Sequence, residues 1–402
     1  MTTPAELYRN AVDLNRFSNG VARRIALTYN DLILEAVDRL RGIDELSAPA
    51  KAARLRAILA QLKGSLENWA GTSTLAVTEE LQGLAVLQSE FVARELRRAL
   101  PESLQRQIRD VQISPDFARS VATVDPTAIN VVSLSDDLQA AVAGAPRATF
   151  QLTAAQGTAI TLPNGKVISK SFRGLAESQA ELFAKTVRNG LLTGESVDKI
   201  ARRLKGRLRF GESKSVRQLA QKGGEATAVA NNQVMALVRT SVNQVANAAS
   251  QRAYEANQDV TQRYRYVATL DGKTSAICRA LDGRVFEYGK GPTPPQHFNC
   301  RSTTVPIINY EALGIEPPPE GRRKATEGTV PGNLTYGQWL SRQSKADQTK
   351  ILGNSPRRAA YFRKLSNKMG PTEAMRRFVR EDGSEVTLDY LRENYGNVKT
   401  PG

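Results

Sequence analysis

At residue 263 the spacing of apolar side chains changes from the 3.6-residue repeat of a helix to the two-residue alternation of a strand. "RYRYVATL" alternates, "RVFEY" reads as a second short strand and "STTVPII" as a third, with Asp271-Gly272 and Asp282-Gly283 as turn dipeptides. Before this point the chain is helical in pattern. "VARRIALTYNDLILEAVDRLRGIDEL" sets Val21, Ile25, Leu32, Ala36, Leu40 and Ile43 three, four or seven apart. "TLAVTEELQGLAVLQSEFVARELRRAL" does the same with Leu81, Leu84, Leu87, Phe91 and Leu96. Stripes of this kind form the buried face of a helix. Pro101 suits the first turn of a further helix with Leu104, Ile108 and Val111 on one side. Helices return from Ser178, and a long one, rich in small residues, is expected over about 225–258. Residues 148–171, rich in Thr, Ile and Val, read as a short β element with Asn164-Gly165 as a tight turn. The pattern predicts an α+β fold, mostly helical, with a small antiparallel sheet docked on the long helix.

A hydrophobic content of 41% is enough for a real core, and 56 Lys and Arg against 40 acids leave a formal net charge of +16. Such a surplus points to a polyanion, nucleic acid or an anionic membrane, or else to a solvated basic surface. No apolar run approaches the roughly 20 residues that span a bilayer, so no membrane span is expected. The start, "MTTPAELYRN", lacks the basic-then-apolar order of a signal peptide, and two cysteines make no disulfide framework. The chain therefore reads as made in a cytoplasm with reduced thiols. Charge is densest over 199–222, where nine Lys or Arg face the single acid Glu212, a net of +8. Lys199, Arg202, Arg203, Lys205, Arg207 and Arg209 are the candidate nucleic-acid contacts.

"DGKTSAICRALDGRVFEYGKGPTPPQHFNCRS", residues 271–302, holds both cysteines and the one histidine of the chain. Cys278, His297 and Cys300 are ligands that zinc accepts, but a structural zinc wants four. Asp271 or Asp282 is the candidate oxygen donor, with water as the other choice. Three further readings stay open at this level. The thiols could form a disulfide, act as a Cys-His nucleophile, or simply pack in a mini-sheet while His297 bonds a loop carbonyl. Phosphate-loop, dinucleotide and H-E-x-x-H signatures are absent, and no G-x-S-x-G supports a serine triad. No catalytic residue is assigned.

The run "LDGKTSAICRALDGRVF", then "PPQHFNCRS", resembles the Mu F-like head morphogenesis proteins, or minor head proteins, of tailed bacteriophages. The matching residues are Asp271, Thr274, Ser275, Cys278, Leu281, Asp282, Gly283, Pro295, His297, Asn299, Cys300 and Arg301, with Arg239-Thr240 in the upstream helix "LVRTSVNQVANAA". Many relatives end the motif C-R-C; here Ser302 stands in the last place. The resemblance covers about 178–365. It implies a virion protein of the head interior or portal, made in the bacterial host and without enzymatic activity. Its implied partners are the portal protein, the major capsid or scaffold protein and, through the basic charge, phage DNA bound without sequence preference. Exit with the DNA on ejection is part of the same expectation. The rival reading is a metal-dependent enzyme acting on nucleic acid. The expected division is a helical domain over 1–145, the β element over 146–175, the Mu F-like domain over 176–313, a Pro- and Gly-rich linker over 314–332 and a basic helical extension over 333–402.

Overall fold

In the computed structural model the residues described are 5–114, 117, 150–152, 162–163, 166–212, 215–319 and 321–398. Two long helices come first, α1 (Ala5–Asp38) and α2 (Ala48–Arg98). They are joined through Gly42, whose φ of 72° is the left-handed conformation that glycine adopts without strain. The stripe on α1 is buried as its spacing requires, with Val21, Ile25 and Leu40 at 6% exposure or less. Leu87 of α2 departs from the expectation: it is 65% exposed and faces outward. The helix expected after Pro101 is only α3 (Glu102–Gln105). Val111 lies instead in strand β1 (Val111–Ile113), which pairs in parallel with β2 (Phe150–Leu152).

Of the β element expected over 148–171, only β2 is a strand among the described residues. Its end is already helix α4 (Ile168–Leu192), and Asn164-Gly165 lies outside the described residues. Helices α5 (Val197–Lys205) and α6 (Val216–Lys222) follow, then the long helix α7 (Glu225–Glu255), close to its expected span. Helix α7 is central. Its small residues Ala226, Ala230, Ala246 and Ala249 are almost fully buried and join one core with α1, α2 and α4. The aromatic chain Tyr29–Trp69–Phe172 stacks edge to face in that core, and the Tyr29 hydroxyl donates to the Ala226 carbonyl at 2.6 Å. The N-terminal helices thus bury their stripes against α4 and α7, not only against each other.

The sheet is antiparallel, as the alternation predicted. Strand β3 (Thr261–Val267) lies between β4 (Val285–Glu287) and β5 (Thr303–Ile308). Pro306 costs the sheet little because β5 is an edge strand, where a missing N–H breaks no ladder bond. Polar side chains of α7 dock on that edge: Asn243 donates to the Ser302 carbonyl, Gln251 to the Thr304 hydroxyl and Tyr254 to the Thr304 carbonyl. The sequence reading missed a short helix, α8 (Ala276–Leu281), inserted between β3 and β4.

The segment read as a linker is partly ordered sheet. Strands β6 (Arg322–Ala325) and β7 (Gly328–Pro331) form a hairpin within it. Beyond it, α9 (Tyr336–Ser341), α10 (Lys345–Ile351), α11 (Pro356–Met369), α12 (Pro371–Arg376) and α13 (Leu388–Tyr395) build a second core around Trp339, Phe362 and Phe378. No helix among the described residues is long and apolar enough to cross a membrane.

Candidate metal centre and its supporting network

Two elements, a helix and a loop, converge against Tyr266 of β3. Helix α8 carries Cys278, the loop before β5 carries His297, and Cys300 ends that loop. The donor atoms of these three residues lie within 4.8 Å of one another. The Cys278 and Cys300 sulfurs are 3.7 Å apart, and His297 Nε2 is 3.4 Å from the Cys278 sulfur. A disulfide needs about 2.05 Å, and both thiols are free. His297 Nδ1 sits 2.8 Å from the Phe298 carbonyl, which as acceptor fixes the tautomer with the proton on Nδ1. Nε2 is then the nitrogen free to bind. The loop-carbonyl bond and the buried thiols were each expected of a merely packed cluster, so they do not by themselves separate packing from metal binding.

The two sulfurs titrate as a pair. Cys300 is pulled well below the usual thiol range by a hydrogen bond from Cys278, then by His297. Cys278 is pushed up by its bond to Cys300 and by burial. His297 is raised, chiefly by its hydrogen bond with Cys300. A thiolate is the state that a metal ion requires of a cysteine ligand.

Asp271, expected as a further ligand, is placed elsewhere. Its two oxygens take a bidentate pair from Arg301 at 2.6 and 2.8 Å and also accept from the Lys273 amide and the Thr274 hydroxyl. Asp282 does not reach the cluster either. Fully buried, it accepts from the Ala268 and Tyr336 amides and from Arg323. Gly283 follows at a φ of +78°, and a Cβ there would stand 2.8 Å from the Thr335 methyl. Asn299 holds a φ of 61°, a conformation that Asn tolerates better than most residues. Its amide donates to the Thr240 hydroxyl, and its side chain accepts from Arg239, which also donates to Asn19. Burial lowers the Arg239 pKa. The motif residues thus form one fastening network that ties the loop before β5 to α7 and α1.

The basic segment is less free than its own composition suggests. Arg203 bridges Glu195 and Glu225, Lys199 pairs with Glu195 and Lys222 with Glu212. Two of those acids lie outside the 199–222 window, so counting charge within it could not reveal them. Arg202, Lys205 and Arg209 line a cleft of 560 Å³ with Asp198 and the Arg41–Asp38 ion pair, beside Phe210, which is 59% exposed. Sequence reasoning also missed Tyr266, whose hydroxyl lies 3.2 Å from the Cys278 sulfur, and Arg323. The alternation of β3 marks Tyr266 as inward-facing; Arg323 had no signal.

Residues 181–305 match the family model described as Phage Mu protein F like protein. This segment is similar to that family. The resemblance, expected over about 178–365, is therefore borne out over 181–305. No curated protein and no solved structure matches the chain. The Mu F-like match ends at β5, yet the fold does not. Helices α1 and α2 cover α7 from before the match, and Arg323 reaches Asp282 from after it.

Proposed function

We propose that this chain is a minor head protein of a tailed phage, assembled into the virion at the portal or inner capsid face. The observation that carries the reading is the family match over 181–305, joined to a motif whose residues are spent on fastening loops. The partners are the portal protein, the major capsid or scaffold protein, and packaged DNA. Contact with DNA falls to Arg202, Lys205, Arg207 and Arg209, which among the described residues are not held in ion pairs with acids as Arg203 is. Replacement of counterions along phosphate by Lys and Arg makes such contact sequence-independent. The domain boundaries expected from sequence remain part of this proposal, with the Mu F-like unit as the shared scaffold.

The ion that fits Cys278, His297 and Cys300 is zinc, since two thiolates and an imidazole are its usual donors. Its role here is to hold the loop. The test of the whole reading is mass spectrometry of purified virions, together with deletion of the coding sequence. The protein is expected in the particle at low copy number, and deletion is expected to reduce DNA-filled heads. Absence from virions, with normal filled heads after deletion, overturns it. Metal-dependent DNA cleavage by the purified protein would favour the enzyme reading instead.

A further inference from the structure

We propose that the zinc site is completed by the hydroxyl of Ser275, making it a four-donor site of two sulfurs, one nitrogen and one oxygen. The inference rests on the zinc reading above and adds the donor that sequence could not supply. A tetrahedral zinc with Zn–S of ~2.3 Å and Zn–N of ~2.0 Å sets a sulfur–sulfur edge of roughly 3.8 Å and a sulfur–nitrogen edge of roughly 3.5 Å. The observed edges are 3.7 Å between the sulfurs and 3.4 Å from the Cys278 sulfur to His297 Nε2. Two of the three edges among these donors are therefore already at their bonding separations, and the third, from the Cys300 sulfur to His297 Nε2, lies within 4.8 Å.

Ser275 supplies the fourth. It is the N-cap residue of α8, a position where a serine hydroxyl ordinarily accepts from the backbone of the first turn. Here it makes no capping bond. Its Oγ lies instead 2.7 Å from His297 Nε2, the nitrogen left free to coordinate. A helix gives up a stabilising cap, and the hydroxyl is spent on the cluster. Converting that hydrogen bond into an oxygen–nitrogen edge of a zinc site, roughly 3.4 Å from Zn–O of ~2.1 Å, needs a shift of under ~1 Å. The two carboxylates expected as donors are engaged, Asp271 with Arg301 and Asp282 with Arg323.

Charge agrees with this choice. Binding releases the thiol protons to solvent, and the serine hydroxyl coordinates as a neutral donor. Zinc, two thiolates, a neutral imidazole and a neutral hydroxyl sum to zero. A neutral site suits two cysteines that are each only 1% exposed, because burying net charge is costly. A carboxylate in the fourth place would leave the site negative.

The test uses the full chain, purified without a histidine tag. Zinc content is measured by elemental mass spectrometry, affinity by competition with a chromophoric chelator, and donor type by the absorption of the cobalt-substituted protein. The parent is expected to bind one zinc and to show tetrahedral cobalt bands with two-thiolate charge transfer. Ser275→Ala is expected to bind about 10- to 100-fold more weakly, the range for losing a group that supports a metal. Ser275→Cys is expected to bind more tightly and to add a third thiolate to the cobalt spectrum. It decides the matter should Ser275→Ala fail to fold. Parent-like affinity in Ser275→Ala, or no third thiolate in Ser275→Cys, overturns the serine assignment and leaves the zinc reading intact. A parent protein that binds neither zinc nor cobalt overturns both.

Discussion

Asp282 is the side chain whose loss should cost this molecule most. It is fully buried, and its two oxygens accept from two backbone amides and from Arg323, itself 4% exposed. Arg323 also donates to the Ala268 and Leu334 carbonyls, so one ion pair joins β3, the hairpin and the start of α9. Removing one member of a buried pair leaves the other uncompensated, at roughly 3–5 kcal/mol. Asp282→Ala is accordingly expected to lower the denaturation midpoint sharply in chemical unfolding. Asp282→Leu combined with Arg323→Met should recover part of the loss, because neither change then strands a charge. Equal stability of Asp282→Ala and the parent would sink this account. Asp271 offers a pH signature. Burial alone would raise its pKa, but the Arg301 pair and the bonds from Lys273 and Thr274 outweigh burial and hold it below the usual value. A depressed carboxylate contributes stability above its unfolded pKa and loses that contribution as the pH falls through the folded one. Asp271→Asn should therefore melt below the parent at neutral pH, with the gap closing as the pH drops below about 4. A gap that is constant with pH would place the effect outside this ion pair.

Among the elements, the contact of α5 with the start of α7 depends on glycine. Gly206 ends α5 at a φ of 62°, and a Cβ there would stand 2.3 Å from the Lys222 carbonyl and 2.5 Å from the Gly224 nitrogen. These obstacles are backbone, so they cannot swing aside. Gly206→Ala should cost at least the ~1–3 kcal/mol of a strained left-handed residue, and should detach Arg203 from Glu225, seen as faster amide exchange over 197–224. Unchanged exchange there would show that the turn can relax. This close approach was invisible in the sequence, where Gly206 marks only an end of a helix. The elements that were legible are those whose period is set by one buried face, α1 and β3 among them, and α7, marked by its long run of small residues. Helix α8 was not, because six residues between two turn dipeptides are too few to show a 3.6-residue repeat. The hairpin in 314–332 was hidden for a different reason: Pro and Gly dominate its flanks, while its strands are held by Arg323 and by the pairing of Leu270 with Ala325, partners distant in sequence. The candidate site follows the same division. Cys278, His297 and Cys300 were legible from ligand chemistry alone. Ser275 and the diversion of Asp271 to Arg301 needed three dimensions.

At the scale of the whole molecule, the question is how a chain of net charge +16 uses that charge. Much of it is answered locally. Arg203, Lys199, Lys222, Arg301 and Arg323 are all paired with acids, and pairing removes them from any long-range contact with phosphate. Arg202, Lys205 and Arg209 share a cleft with Arg41, Asp38, Asp198 and Phe210, and Arg207 is exposed. Reversing Arg202, Lys205, Arg207 and Arg209 to Glu, with Arg203 retained, should weaken binding to duplex DNA and leave the melting temperature close to that of the parent. Each phosphate contact releases counterions, so log K falls with log salt by about 0.9 per neutralised phosphate on duplex DNA. The quadruple variant should then show a shallower salt slope, reduced by up to roughly 4 units if every contact is made. The affinity gap is widest at low salt and closes as salt rises. Arg203→Glu should behave in the opposite way, destabilising the α5–α7 contact through Glu195 and Glu225 with little change in salt slope. Fluorescence anisotropy across a salt series, run beside thermal melts of the same variants, separates the two. Identical slopes for parent and quadruple variant would remove this cleft from the DNA contact and leave its charge as solvated surface.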